Sequence, residues 1–308
     1  MSKNKKIILY ALFVMVLWGS LFPAVKMGYS AFLIQTGDVS GILLFAGVRF
    51  TLCGIIISAF GLCRHEAVGA TCRQDILPIL LTGLFSIILH YTCTYICLSY
   101  TDSSKTAILK QLGALLYICF GFLFFEEERF RVTKILGALI GFAGIVAINF
   151  DGGSVHFSVS DILIIVASIC TVAGSVSSKA AMKHTSAIMT TGLSQLFGGV
   201  VLTVVATVMG GKTMQFSWNA MPIFVYICTA SIIAYCLWNH IIKTSELSKM
   251  FLIKFAEPAF ACIFGALLLG ENIMKWQYLI AFILVAIGIV IGNLSDFNER
   301  EEKNNEEL

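Results

Sequence analysis

Lys110 and Lys254 lie inside strongly apolar sequence, 144 residues apart, at matching positions of an internal repeat. A lysine within a membrane-spanning segment costs at least ~2.5–3.5 kcal/mol on insertion scales, so it must face a cavity or a partner. The chemistry such a pair offers is capture of an anion. Glu257 follows Lys254 at i+3, where it can neutralise that lysine, contact an amine or carry a proton. The position equivalent to Glu257 beside Lys110 is Gly113, so Lys110 reads as the cation without a local partner. Removing Lys110 is therefore expected to abolish function with folding intact, and removing Lys254 to harm folding through an unpaired Glu257. The competing reading of both lysines is snorkelling to the interface or a structural ion pair.

Other polar residues fall within apolar runs. Arg49 stands mid-segment, to bind an anionic group bidentately or to serve as a buried structural pair. Trp18 and Phe22 are spaced i, i+4, and Lys26 continues their stripe. His90, Tyr91 and Tyr95 make one segment unusually polar, and Tyr235, Trp238, Asn239 and His240 do so in another. Polar clusters in a bilayer usually point inward, and buried Tyr and Trp seek hydrogen-bond partners. Trp238 and His240 suit an aromatic belt at the interface equally well. His90 alone fits a packed donor better than a catalyst, and Gln111 and Gln195 are weaker candidates.

The positioning elements follow from composition. The 308 residues are 58% hydrophobic and 13% charged, with mean hydropathy +0.88. Soluble domains carry about 25% charged residues, so this is a membrane protein. A net charge of +3 with no long basic run argues against a nucleic-acid partner. Ten apolar segments, about 7–25, 41–62, 76–98, 104–125, 132–149, 159–179, 187–209, 219–240, 248–269 and 276–294, are near spanning length, the fifth being short. The first reads as an uncleaved helix. The ten cysteines show no metal-like spacing and read as small buried hydrophobes. No cofactor or metal is expected.

Residues 91–149 repeat at 235–293 without a gap. Tyr91 falls on Tyr235, Ser104 on Ser248, Lys105 on Lys249, Glu127 on Glu271, Gly144 on Gly288 and Asn149 on Asn293. Five segments per half is an odd number, so the second half must enter the membrane inverted. The predicted fold is an all-α polytopic protein of ten transmembrane helices in two inverted five-helix repeats, 1–152 and 153–294, with a charged tail over 295–308. Gly137, Gly141, Gly144, Gly288 and Gly292 favour close helix contact. Inversion sets Lys110 and Lys254 on opposite sides of the midplane, each roughly 6 Å away at ~1.5 Å per residue. They are predicted to mark opposite ends of one cavity, about 12 Å apart in Cα depth, with the anion handed from one to the other.

The run Glu126-Glu127-Glu128-Arg129-Phe130-Arg131 fits the EExxxR pattern of CAAX-processing intramembrane proteases. No histidine among 65, 90, 156, 184 and 240 supplies the accompanying FxxxH or HxxxN, so the chain is read as no enzyme and the run as a solvated loop. The residues instead resemble the EamA-domain branch of the drug/metabolite transporter superfamily. The motifs are Trp18-Gly19-Ser20 with Lys26, Arg49-Phe50, Tyr100-Thr101, and Pro258 leading to Leu268-Leu269-Gly270-Glu271. Ala114 and Phe125-Glu126-Glu127 depart from that pattern in the first half, and the Met27–Ser40 loop is long. The resemblance covers essentially 7–294 and implies a ten-helix carrier of small organic metabolites, often outward.

The resulting expectation is a plasma-membrane secondary carrier, an exporter by preference, of a small metabolite such as an amino acid or organic anion. The alternatives are an organophosphate or nucleotide-sugar antiporter and, from another class, a membrane scaffold or lipid-flipping subunit. Its partners are the bilayer and a small-molecule substrate; coupling to protons or a counter-substrate, and a homodimer, are compatible with this. Arg64, Arg73, Arg129, Arg131, Lys134, Lys183 and Lys243 fall in connections on one side, against little beyond Lys212 and Lys275 on the other, with Lys26 at a helix end. That asymmetry puts both termini in the cytoplasm. A cysteine appended after Leu308 is expected to resist an impermeant thiol reagent applied to intact cells; labelling from outside would reverse the orientation.

Overall fold

The apolar runs fold as helices because a bilayer supplies no hydrogen bonds to backbone amides, and a helix satisfies them within one segment. The computed structural model describes residues 3–66, 73–113, 116, 132–148, 150–151, 154–155, 158–210, 218–244, 253–254, 256–288 and 290–291. The helices are α1 Lys3–Ala31, α2 Val39–Cys63, α3 Arg73–Thr82, α4 His90–Tyr100 and α5 Ser103–Leu109. They continue with α6 Val132–Ile148, α7 Val159–Ala181, α8 Ala187–Val208, α9 Met221–Thr244, α10 Ala256–Leu269 and α11 Trp276–Gly288. A π-helical stretch, Gly83–Leu89, joins α3 to α4. A two-residue antiparallel ladder, Phe150–Asp151 with Ser154–Val155, is the only strand pairing among the described residues.

Six helices are long and apolar enough to cross a membrane: Ile7–Ala31, Val39–Cys63, Ile76–Tyr100, Val159–Ala181, Ala187–Val208 and Trp218–Lys243. Ile135–Gly144, Ala256–Leu269 and Trp276–Gly288 are apolar but shorter. The fourth expected segment is helical at Ser103–Leu109, and much of its remainder lies outside the described residues. So do Glu127, Ser248, Lys249, Asn149, Asn293, the 126–131 run and the tail. The long loop expected over Met27–Ser40 is shorter than it reads, because α1 runs on to Ala31 and α2 starts at Val39 under an Asp38 cap. Ser158 and Asp161 form a capping box on α7, and Ser186 caps α8.

Large apolar side chains face outward, among them Ile55, Ile56 and Phe60 on α2 and Leu136 and Leu139 on α6. Ser, Thr, Gln and His are buried inside, including Thr94, Ser168, Thr190 and Gln195. That inversion of the soluble pattern fits a bundle whose solvent is lipid. Cys53, Cys97, Cys170 and Cys228 are buried as expected, but Cys63 is exposed and Cys93, Cys236 and Cys262 are half-buried.

Two glycine seams hold the bundle. Gly47, Gly54 and Gly61 of α2 meet Thr203, Leu196 and Met189 of α8, while Gly192 and Gly199 of α8 meet Ser58 and Thr51 of α2. The heptad spacing keeps them on one stripe, and the pairs run antiparallel. At the second seam Gly144 of α6 meets Ala281 and Val285 of α11, and Gly288 of α11 meets Gly137 and Gly141 of α6. A Cβ at Gly47 would stand 2.6 Å from the Thr203 amide nitrogen, so any side chain there must separate two backbones. Gly54→Val, facing Leu196 backbone in the same seam, is expected to destabilise the protein by at least ~1–3 kcal/mol, read as a lowered unfolding temperature in detergent micelles.

Candidate functional site

The close approach of α1 to α10 sets the site. At Gly19 a Cβ would lie 2.9 Å from both the Glu257 carbonyl and the Ala261 nitrogen. With only hydrogen there, Trp18 and Phe22 are brought against the α10 side. Lys254 Nζ lies 5.6 Å from the Trp18 ring centroid and 5.7 Å from that of Trp238. Lys110 Nζ lies 5.2 Å from the Phe22 ring centroid.

The larger cavity, about 680 Å³, is bordered by both lysines. Trp18, Tyr91, Tyr235 and Trp238 form its aromatic wall, and Trp18 packs on Trp238 at 5.1 Å and on Tyr235 at 5.6 Å between ring centroids. His90 and Asn239 complete the predicted residues there. Both are committed to structure as well. His90 Nδ1 lies 3.1 Å from the Ala167 carbonyl, and an acceptor there assigns the hydrogen to Nδ1. Asn239 Nδ2 donates to Thr191 Oγ1 at 2.6 Å, and its Oδ1 accepts from Ser178 Oγ at 3.2 Å, tying α9 to α7 and α8.

Tyr91 and Tyr235 join through their hydroxyls. Beyond them lies a second, smaller cavity of about 350 Å³, bordered by Arg49, Tyr95 and Glu257 together with Trp18, Tyr91 and Lys110. Trp18, Tyr91 and Lys110 thus border both spaces. Every predicted site residue lines one cavity or the other. Among the described residues the two spaces hold three strongly basic side chains, Arg49, Lys110 and Lys254, against one carboxylate.

One expectation is corrected. Lys110 has a partner: its Nζ lies 3.3 Å from Glu257 Oε1, with Glu257 fully buried. Spacing within one helix pointed Glu257 at Lys254, whereas the contact made crosses from the end of α5 to α10. Trp238 is buried on the cavity wall rather than in a belt, while His240 is exposed. The sequence reading missed the hydroxyl lining of the larger cavity: Thr171, Ser175 and Ser178 on α7, and Thr191 and Ser194 on α8. The signal was their i, i+3 and i, i+4 spacing in otherwise apolar helices.

A polar clasp closes the bundle at the end of α4 and the start of α5. The Glu271 carboxylate accepts the Ser103 amide at 2.7 Å, the Ser104 amide at 3.0 Å and the Ser104 hydroxyl at 2.6 Å. Lys26 Nζ lies 3.6 Å from Glu271 and donates to the Thr101 carbonyl at 2.8 Å. Beside them Tyr278 donates to Asp102 at 2.8 Å, with Lys275 at 3.7 Å. A carboxylate supplied by the connection between α10 and α11 therefore caps α5, in place of a residue of its own loop.

A multi-pass helical bundle, apolar outside and enclosing a polar cavity between its helices, has the build of a membrane transporter. The family model for EamA-like transporters matches residues 5–150 and again 158–294, and the chain belongs to that family. Among relatives, the uncharacterized transporter YvbV of Bacillus subtilis (strain 168) is 25% identical over 302 residues, covering 95% of this chain and 93% of that protein. The uncharacterized inner membrane transporter YedA of Escherichia coli (strain K12) is 26% identical over 289 residues, covering 92% and 87%. A solved crystal structure superposes with a TM-score of 0.65 at 21% identity, over 94% of this chain and 97% of that one, which shows the shared fold. Family and relatives indicate a transporter, not an enzyme.

The clasp gives a pH dependence. Burial raises the Glu271 carboxyl pKa, but the bonds from Ser104 and Ser103 lower it by more, leaving it below its ordinary value. A lowered folded pKa means the stabilisation is complete above the unfolded carboxyl range and is lost as pH falls through the folded value. Glu271→Gln is expected to cost about 2 kcal/mol near neutrality, with the gap to wild type narrowing in acid, as thermal unfolding at graded pH would show.

Proposed function

We propose that this protein is a secondary carrier, exporting by preference, that moves a small metabolite bearing a carboxylate or another anionic group, such as an amino acid or organic anion, by alternating access. Ten spans form two inverted five-helix halves, 1–152 and 153–294, in the plasma membrane with both termini cytoplasmic. The observation that carries the reading is the polar, aromatic-walled cavity bordered by Lys110 and Lys254, residues at equivalent positions of the repeat. Inversion is supported by the antiparallel seams, in which Gly144 meets residue 281 and Gly288 meets residue 137, partners offset by the same 144 residues. The hydrogen bond between Tyr91 and Tyr235 joins equivalent residues directly.

The larger cavity is lined by residues toward the Ala181 end of α7, the Ala187 end of α8 and the Thr244 end of α9. By the charge asymmetry this is the cytoplasmic end, and the Glu271 clasp closes the other. The described state then faces inward. Lys254 takes the anion in this state and Lys110 receives it, with Glu257 meeting an amine or a proton. A second reading, an organophosphate or nucleotide-sugar antiporter, is favoured by the two lysines bordering one cavity. The polar cavity counts against a scaffold.

A thermal-shift screen of amino acids, organic acids and phosphates on purified protein would identify the substrate, and counterflow in vesicles its movement. Lys110→Met is expected to abolish transport and also to cost ~3–5 kcal/mol, because it strands Glu257 as a buried charge. The double variant Lys110→Met with Glu257→Leu is expected to recover stability without transport. A stable, transporting double variant would remove the pair from the site.

A further inference from the structure

The smaller cavity holds more unmet hydrogen-bonding capacity than packing requires. Arg49 is fully buried mid-way along α2. Its Nη2 donates to Ser231 Oγ, while Nε and Nη1 have no hydrogen-bond partner among the described residues. No carboxylate stands within ion-pair reach of it there. Instead its guanidinium lies 4.7, 5.8 and 5.7 Å from the ring centroids of Phe50, Tyr91 and Tyr95. Rings over a guanidinium offset part of its desolvation but supply no acceptor for its N–H groups. Around the same space the Thr94 and Tyr95 hydroxyls, the Trp18 indole N–H and Glu257 Oε2 are also buried and unpartnered.

A structural arginine would have its fork filled, because an unsatisfied buried donor costs ~1–3 kcal/mol, and more when charged. Here Nε and Nη1 are open beside two unpartnered hydroxyls, and the second N–H of Nη2 completes a two-donor edge with one of them. The Nε–H and an Nη–H of arginine are a planar pair that matches the two oxygens of a carboxylate. We infer that the smaller cavity is a second ligand subsite, in which Arg49 grips a carboxylate bidentately with Tyr95 and Thr94 as flanking donors. The subsite deepens the transport reading and rests on it. The larger cavity receives the anion at Lys254, Lys110 borders both spaces, and Arg49 holds the carboxylate once it has passed Tyr91. The ion pair to Glu257 keeps Lys110 from dominating the smaller space, which leaves Arg49 as its free anion receptor.

The test uses the full chain in lipid nanodiscs, with sodium acetate titrated against sodium chloride at equal ionic strength and thermal unfolding as the readout. Acetate is expected to raise the unfolding temperature of the wild type by about 2–4 °C at saturation, to keep most of that shift in Lys254→Gln, and to lose most of it in Arg49→Gln. A shift kept by Arg49→Gln and lost in Lys254→Gln would overturn the subsite while leaving anion capture in the larger cavity standing. No shift in the wild type, or one indifferent to both substitutions, would overturn both. Should Arg49→Gln fail to fold, Tyr95→Phe and Thr94→Val remove the flanking hydroxyls without touching charge. Each is expected to weaken the apparent acetate affinity at least 5-fold, and unchanged affinity in both would overturn the subsite.

Discussion

The ion pair between Lys110 and Glu257 is the contact on which the interior depends. It joins the end of α5 to α10 across the bundle, with one partner wholly out of solvent. Neither charge is tolerable there alone, and their attraction is strong because the surroundings are apolar. The pair also decides what Trp18 and Phe22 face, since Gly19 lets α1 come down on the backbone beside Glu257. From that one crossing follow the aromatic wall, the division into two spaces and the excess of basic over acidic groups around them.

The glycine seams solve a different problem. Lipid is as apolar as leucine, so apolar burial does little to drive helices together in a bilayer; close backbone packing must do more of it. The α2–α8 seam is long and regular, and it carries few of the cavity residues. The polar groups collect instead on α3, α4, α7 and α9, where the π-helical stretch before His90 shifts the helical register ahead of the cavity wall. π-helical turns recur at functional sites for this reason.

Much of this was legible in the sequence. The repeat register identified Tyr91 with Tyr235 and Lys110 with Lys254, and in each case the two equivalent residues meet or share a cavity. Periodicity likewise identified the apolar spans, and the EamA resemblance followed from short motifs in order. What was missed was the pairing across the bundle. Spacing along one helix set Glu257 beside Lys254 but could not show that its Oε1 also reaches Lys110, 147 residues away. Local spacing carries no information on which helix lies opposite. The same blindness hid the serines and threonines of α7 and α8, whose function depends on the face they share, and the capping of α5 by Glu271, a residue from another part of the chain.

The Tyr91–Tyr235 bond has an unusual thermodynamic standing. In an inverted arrangement, exchanging the two halves converts one access state into the other and maps this bond onto itself. Its energy is then common to both states and cancels from their equilibrium, as a ligand of equal affinity for two states shifts neither. Under the alternating access proposed above, the bond is a fulcrum: its strength bears on how hard it is to pass between the states and leaves their populations alone. Preference for one side must be written into residues that have lost their counterpart, and Glu257, matched in the other half by Gly113, is the clearest of these.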